Sequence, residues 1–212
     1  MPPRRPFHGV YLVTAPVRPV SRLAGIVSAA IEGGVTLVQL REKDGRSEAD
    51  RFAAGIAVAS VCRSHGVPFL VNDDADLAMQ LAADGVHVGR GDTPPQQARS
   101  VLGPDAILGV TLYGGDDGEE AAERAGADYL SAGPFFPSPT KPEEPVMPLT
   151  ALDGIVRRSR LPVFAIGGVT AERARVLAGH GVAGVAVVSA IMHASDPKQA
   201  AREIRAAFEA GR

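Results

Sequence analysis

The chain has 212 residues with 22 basic and 24 acidic side chains, a formal charge of −2, and 45% hydrophobic residues. That balance argues against the basic field of a general nucleic-acid binder, and no run of about 18 apolar residues is present to span a membrane. The apolar content supports a sizeable core, and at this length one α/β barrel is a more natural fit than two small domains.

Arg4 and Arg5 stand among prolines, with no apolar segment long enough for a signal peptide. Residues 1–8 are therefore expected to be an N-terminal extension of a cytoplasmic protein whose single domain spans 1–212. Short apolar, β-rich runs predict strands at 9–14, 35–40, 67–71, 85–89, 106–111, 128–132, 162–166 and 184–188. Between them, helical spacing predicts helices at 21–32, 47–64, 75–83, 94–101, 117–125, 149–158, 170–179 and 197–210. Alternation of this kind indicates a parallel sheet, and eight such units describe a single (β/α)8 TIM barrel, with an open doubly wound sheet as the alternative.

Punctuation supports the element order. Ser47, Thr93, Thr150, Thr170 and Asp196 are predicted helix N-caps, and Gly33, Gly34, Gly66, Gly85, Gly103, Gly126 and Gly181 mark predicted helix ends. Cys62 is the one cysteine, so it forms no internal disulfide, and its place in a predicted helix suggests a buried structural thiol.

The residues that break the apolar pattern gather at the C-terminal ends of the predicted strands, the rim where such barrels carry their active sites. Gln39, Arg41, Glu42 and Lys43 follow the second strand, Asn72, Asp73 and Asp74 the third, Asp92 the fourth, and Thr111 and Tyr113 the fifth. Arg41 and Lys43 alternate about Glu42, so an extended strand end turns both cations to one side, and with Lys141 they could hold a diphosphate. A solvated pair neutralised by Glu42 and Asp44 is the simpler alternative. Asp73 and Asp92 follow neighbouring strands, which lie roughly 4.8 Å apart, and two such carboxylates suit Mg²⁺ completed by water and phosphate oxygens. Asp74 is assigned to capping the helix that starts near Ala75.

The loop after the sixth strand holds Pro134, Pro137 and Pro139 together with Ser138, Thr140 and Lys141. It is stiff and suited to an anion. Gly167 and Gly168 before Thr170, with Ser189 and Ala190 after the eighth strand, match the phosphate site that barrels build at these loops. His8, His65, His87, His180 and His193 show no metal-ligand spacing, and His87 is expected to face the barrel mouth, more simply as a satisfied core histidine than as a ligand. No nucleophile stands beside a base, so no covalent mechanism is indicated.

The motifs Gln39-Leu40-Arg41-Glu42-Lys43, Asn72-Asp73-Asp74, His87-Val88-Gly89 with Asp92, 133–141, Ile166-Gly167-Gly168-Val169 and Val188-Ser189-Ala190 resemble those of the thiamine phosphate synthase family. The resemblance runs from about Tyr11 to the last helix. It implies a transferase that joins a hydroxymethylpyrimidine diphosphate to a thiazole phosphate with Mg²⁺ as cofactor. It further implies that Gln39, Arg41, Lys43, Asn72 and Lys141 bind the pyrimidine diphosphate, and that Asp73 and Asp92 hold the metal. Ser138, Pro139, Thr140, Gly168, Val188 and Ser189 would contact the thiazole phosphate, and Lys141, Arg41, Lys43 and Thr111 would be the catalytic set. The chain departs from the family pattern in having Thr111 for serine, Tyr113 for a common histidine and Arg90 for glutamine.

Two other readings stay open. A thiazole tautomerase-like isomerase shares the phosphate cradle but needs a histidine after the fifth strand, where this chain has Tyr113. A catalytically silent phosphate-binding barrel would have no use for Asp92 and Lys141. The expected partners are small-molecule substrates, with neither nucleic acid nor membrane, and a homo-oligomer is left open. Residues 143–148 and the loop after the second strand are expected to move over the substrates.

Overall fold

Each apolar run becomes a strand and each Ala-rich stretch a helix, in a computed structural model that describes residues 7–43, 45, 47–89, 91–113, 118–138 and 144–212. The strands are β1 (Gly9–Val13), β2 (Val35–Leu40), β3 (Phe69–Asn72), β4 (Gly85–Val88), β5 (Ile107–Leu112), β6 (Tyr129–Ala132), β7 (Val163–Ile166) and β8 (Gly184–Val187). They pair in parallel in chain order, and β8 pairs with β1 to close the barrel. The helices are α1 (Val20–Glu32), α2 (Glu48–His65), α3 (Ala75–Gln80), α4 (Pro95–Leu102), α5 (Gly118–Arg124), α6 (Leu149–Arg158), α7 (Ala171–Ala178), the short α8 (Ser189–Met192) and α9 (Pro197–Ala210). The (β/α)8 expectation holds, with α8 as an extra turn after β8. Among the described residues no helix is long and apolar enough to cross a membrane.

Strand side chains alternate between two concentric cores. Val10, Leu12, Val38, Val71, Val86, Leu108 and Leu130 face outward and pack with helix residues such as Val27, Val58, Leu152, Leu177 and Phe208. Tyr11, Leu37, Leu70, Ile107, Tyr129, Phe164 and Ala186 face inward and form a separate cluster. The interior is filled by pairing large residues with absent ones. A Cβ on Gly109 would lie 2.2 Å from the Tyr129 ring, and one on Gly184 would lie 2.4 Å from the Phe164 ring. Phe7, in the predicted extension, packs on Tyr129 with ring centroids 5.4 Å apart and covers this inner core. Cys62 is fully buried in α2, and burial pushes its thiol up to about 12.

Side-chain hydrogen bonds tie the N-terminal ends of β3 and β5. Asp84 accepts from the Phe69 N–H at 2.8 Å, and Asp128 accepts from the Leu108 N–H at 2.9 Å. Arg99 binds the carbonyls of Gly103, Pro104, Ala106 and Gly126 and meets Asp128 at 2.9 Å.

Ser47, Thr170 and Asp196 cap their helices with side-chain oxygens, and Asp74 caps α3. Thr93 and Thr150 do not, because Pro94 and Pro148 take the cap positions of α4 and α6. The fixed φ of proline suits the position before a helix, so α4 starts at Pro95 and α6 at Leu149, which leaves Thr93 one residue before the cap and Thr150 inside the first turn. Gly85 is likewise no helix end. It opens β4, where a Cβ would sit 1.9 Å from the Ile107 carbonyl oxygen, and Ala82, at φ 48°, makes the turn before it.

Candidate active site

The strand period carries polar residues upward into one cavity at the C-terminal mouth. Gln39, Asn72, His87, Thr111, Ile166 and Ala186 line it from the strands. Arg41, Lys43, Asp73, Asp92, Tyr113, Ser138, Glu144, Gly167, Gly168, Val188 and Ser189 line it from strand ends and loops.

One wall is charged. Arg41 and Lys43 both line the cavity, while Glu42 faces the neighbouring hollow, as alternation about an extended strand end requires. Thr14, itself buried, accepts the Arg41 N–H at 2.9 Å and fixes the end of β2. Asp73 and Asp74 divide their work. Asp74 accepts the Leu77 N–H at 2.9 Å and meets Arg51 at 2.5 Å, which leaves Asp73 for the cavity. Asp73 reaches it through a backbone at φ 65°, a region few non-glycine residues adopt and one that clusters at functional sites. Its N–H is held by the His87 carbonyl at 2.8 Å.

The Asp73 carboxylate pairs with Lys43 at 2.5 Å. Even so, burial and hydrogen bonding to the Asp92 carboxyl together push its pKa up to about 6, with Lys43 opposing the rise. Asp92 is held by the Gly89 N–H at 2.9 Å. Two carboxyl groups sharing one partly buried site repel when both are ionised, and a cation between them removes the conflict.

The other wall is built from backbone. Gly167 and Gly168 turn at φ 99° and 60°, and the loop after β6 lies directly on them. A Cβ on Gly168 would approach the Pro137 carbonyl oxygen to 2.4 Å, so only glycine admits this contact. Arg173 donates to the Gly168 carbonyl at 2.6 Å and lies 4.8 Å from the centre of the Phe136 ring. Turn and loop are thus locked together, with Ser138 and Gly168 on the cavity side and Ser189 starting α8 beside them.

The cavity floor is polar and almost fully engaged. His87 Nε2 lies 2.7 Å from Thr111 Oγ1, and His87 Nδ1 lies 2.8 Å from the Tyr129 hydroxyl. Burial pushes the His87 imidazole down to about 4, so it is neutral at physiological pH. Gln39 is the exception. Its Nε2 is buried and has no hydrogen-bond partner among the described residues.

Residues 10–191 match the family model described as thiamine monophosphate synthase. The chain is 44% identical to the thiamine-phosphate synthase of Thiobacillus denitrificans, with 95% of each chain covered. It is 39% identical to that of Thermoplasma acidophilum, covering 96% of this chain and 94% of the relative. The solved thiamine phosphate pyrophosphorylase of Pyrococcus furiosus superposes with a TM-score of 0.85 at 34% identity, covering 96% of each chain. The chain belongs to the thiamine monophosphate synthase family. A 3-hexulose-6-phosphate synthase, at 20% identity and a TM-score of 0.68, shares the fold alone.

Members of the thiamine monophosphate synthase family are transferases. Of the residues that the family pattern implied, Gln39, Arg41, Lys43, Asn72, Asp73, Asp92, Thr111, Ser138, Gly168, Val188 and Ser189 all line the one cavity. Pro139, Thr140 and Lys141 lie outside the described residues, as do Arg90 and Asp44. Tyr113, a departure from the family pattern, also lines the cavity. The expected lid at 143–148 is described from Glu144 onward. There Met147 is buried, and its N–H donates to the Pro134 carbonyl at 2.7 Å. Sequence reasoning missed Glu144, and it missed that His87 is tied to Tyr129 and Thr111. Inward alternation of Tyr129 and His87 was a readable signal. That the two side chains meet over Gly109 of the strand between them was not.

Proposed function

We propose that the chain joins 4-amino-2-methyl-5-hydroxymethylpyrimidine diphosphate to thiazole phosphate, giving thiamine phosphate and diphosphate. The observation that carries this reading is one cavity with two unlike walls, each suited to an anion. A cationic wall with paired carboxylates suits a diphosphate, and a glycine turn beside a helix start suits a monophosphate.

The donor set fits Mg²⁺. Asp73 and Asp92 offer only oxygen, and a divalent cation between them would offset the burial and the neighbouring Asp92 carboxyl that together raise the Asp73 pKa. Among the described residues no group of three or more His, Cys, Asp or Glu side chains could hold a metal, so water and phosphate oxygens would have to complete the shell about Asp73 and Asp92. When bound, Mg²⁺ would neutralise charge on the leaving diphosphate.

The protein's own part is positioning and electrostatics. Arg41 and Lys43 hold the diphosphate oxygens and stabilise the charge they gain as the methylene C–O bond breaks, the electron pair leaving with diphosphate. The buried Gln39 amide and Asn72 orient the pyrimidine. Gly168, Ser138 and Ser189 hold the thiazole phosphate so that the ring nitrogen lone pair meets the pyrimidinylmethyl carbon and forms the C–N bond. No proton is transferred at carbon, so no general base is needed. Thr140 and Lys141 join this set by family resemblance.

Tyr113 occupies the position where the isomerase reading needs histidine, so that reading gains no support. The deciding assay measures diphosphate release from the pyrimidine diphosphate with thiazole phosphate, with and without Mg²⁺, for the wild type and Asp92→Ala. Metal-dependent release with thiamine phosphate formed, and lost in the variant, supports the proposal. A folded protein that binds thiazole phosphate yet releases no diphosphate would overturn it.

A further inference from the structure

Four hydrogen-bonding groups run through the barrel interior from its closed end to its mouth. The Tyr11 hydroxyl lies 3.0 Å from the Tyr129 hydroxyl, which lies 2.8 Å from His87 Nδ1, and His87 Nε2 lies 2.7 Å from Thr111 Oγ1. With a neutral imidazole each group carries one hydrogen, and three contacts can accommodate only three. One hydrogen must point out of the chain. It is not the imidazole's, because both ring nitrogens are already engaged.

If it belonged to Tyr11 or Tyr129, a hydroxyl hydrogen would be stranded among rings that are 1% and 0% exposed, walled by Phe164 and Phe7. Neither hydroxyl has a further partner among the described residues. If it belongs to Thr111, it points into the cavity that Thr111 lines. Stranding a buried hydroxyl hydrogen disfavours the first two arrangements by roughly tenfold or more. An imidazolium would strand hydrogens at both ends and bury a charge as well.

We infer that this chain runs in one direction only, that it holds His87 as the Nε2–H tautomer, and that it makes Thr111 a dedicated hydrogen-bond donor to the ligand. Tyr11, Tyr129 and His87 are then positioning residues. They touch no substrate but fix which way a substrate-facing hydroxyl points. Gln39 Nε2 is a second buried donor without a partner on the same cavity. The inner end of the cavity therefore selects a ligand that presents acceptor atoms to it. Naming that ligand as the pyrimidine diphosphate rests on the function proposed above, whereas the direction of the chain does not.

The test has two parts. Long-range proton–nitrogen NMR of the full chain labelled with ¹⁵N-histidine, without ligand, should find His87 protonated at Nε2. An Nδ1–H ring or an imidazolium at pH 7 would overturn the inference. Binding of the pyrimidine diphosphate is then measured across a double-mutant cycle of Thr111→Val and Tyr129→Phe, which both keep side-chain shape. Thr111→Val should weaken binding roughly tenfold, and Thr111→Ser should restore it to within about twofold. Tyr129→Phe should weaken binding a few-fold alone and have no further effect in the Thr111→Val background, whereas a purely structural tyrosine would add its effect in both. Additive effects would overturn the inference. Condensation activity with an Nδ1–H ring would sink the inference and leave the function standing. An Nε2–H ring without condensation would do the reverse.

Discussion

The two ends of the barrel use the same eight strands and treat polar groups in opposite ways. At the N-terminal end, Asp84 and Asp128 each accept a strand N–H, and Arg99 meets four carbonyls and a carboxylate. At the C-terminal end, two carboxyl groups crowd each other, Asp73 adopts an uncommon backbone region, and the Gln39 amide is buried without a partner among the described residues. One end is satisfied, and its groups serve stability. The other keeps polar groups in conflict, as expected of the end that carries function.

The comparison can be broken by showing that substitutions at the two ends do not separate. Asp92→Asn keeps the acceptor for the Gly89 N–H and removes the charge beside Asp73. Diphosphate release should fall roughly 10²–10³-fold while the melting temperature stays level or rises. A lowered melting temperature with activity retained would contradict the assignment of this end. Arg99→Ala should do the opposite, losing about 2–4 kcal/mol in denaturant unfolding because Asp128 and four carbonyls lose their donor, with kcat kept in the folded fraction.

His87 sharpens the contrast through pH. Its pKa in the fold is about 4, against an ordinary value of 6.5, so between these values the unfolded chain binds a proton that the folded one refuses. Stability should therefore be complete above about pH 6.5 and decline as pH falls toward 4, by up to roughly 3 kcal/mol. Comparing urea unfolding of the metal-free wild type and His87→Gln across that range isolates this contribution, which the variant should lack. The smallest effect is expected at a helix cap. Thr170→Ala removes the acceptor for the Arg173 N–H and should cost about 1 kcal/mol in thermal unfolding, with thiazole phosphate binding weakened because α7 begins beside the glycine turn.

Much of this is legible in the sequence. Apolar runs alternating with helical spacing fixed the eight-unit order, because strand and helix periods are local properties of the backbone. The clustering of Arg41, Asp73, Asp92, Thr111, Gly168 and Ser189 at strand ends placed the site on one rim. Local errors arose where two local signals competed, as when Pro94 and Pro148 displaced Thr93 and Thr150 from capping.

What the sequence determined by itself was the set of elements, their order, and the residues gathered at the mouth, all of which follow from near-neighbour periodicity and turn chemistry. Tertiary structure alone decided which side chains meet inside the closed sheet. His87, Thr111 and Tyr129 come from the neighbouring strands β4, β5 and β6, with Gly109 leaving room for the Tyr129 ring, and Tyr11 of β1 reaches them only because the barrel closes. Contacts between residues as far as 118 positions apart have no local signature, since they are set by strand stagger and by the volume left at the barrel centre.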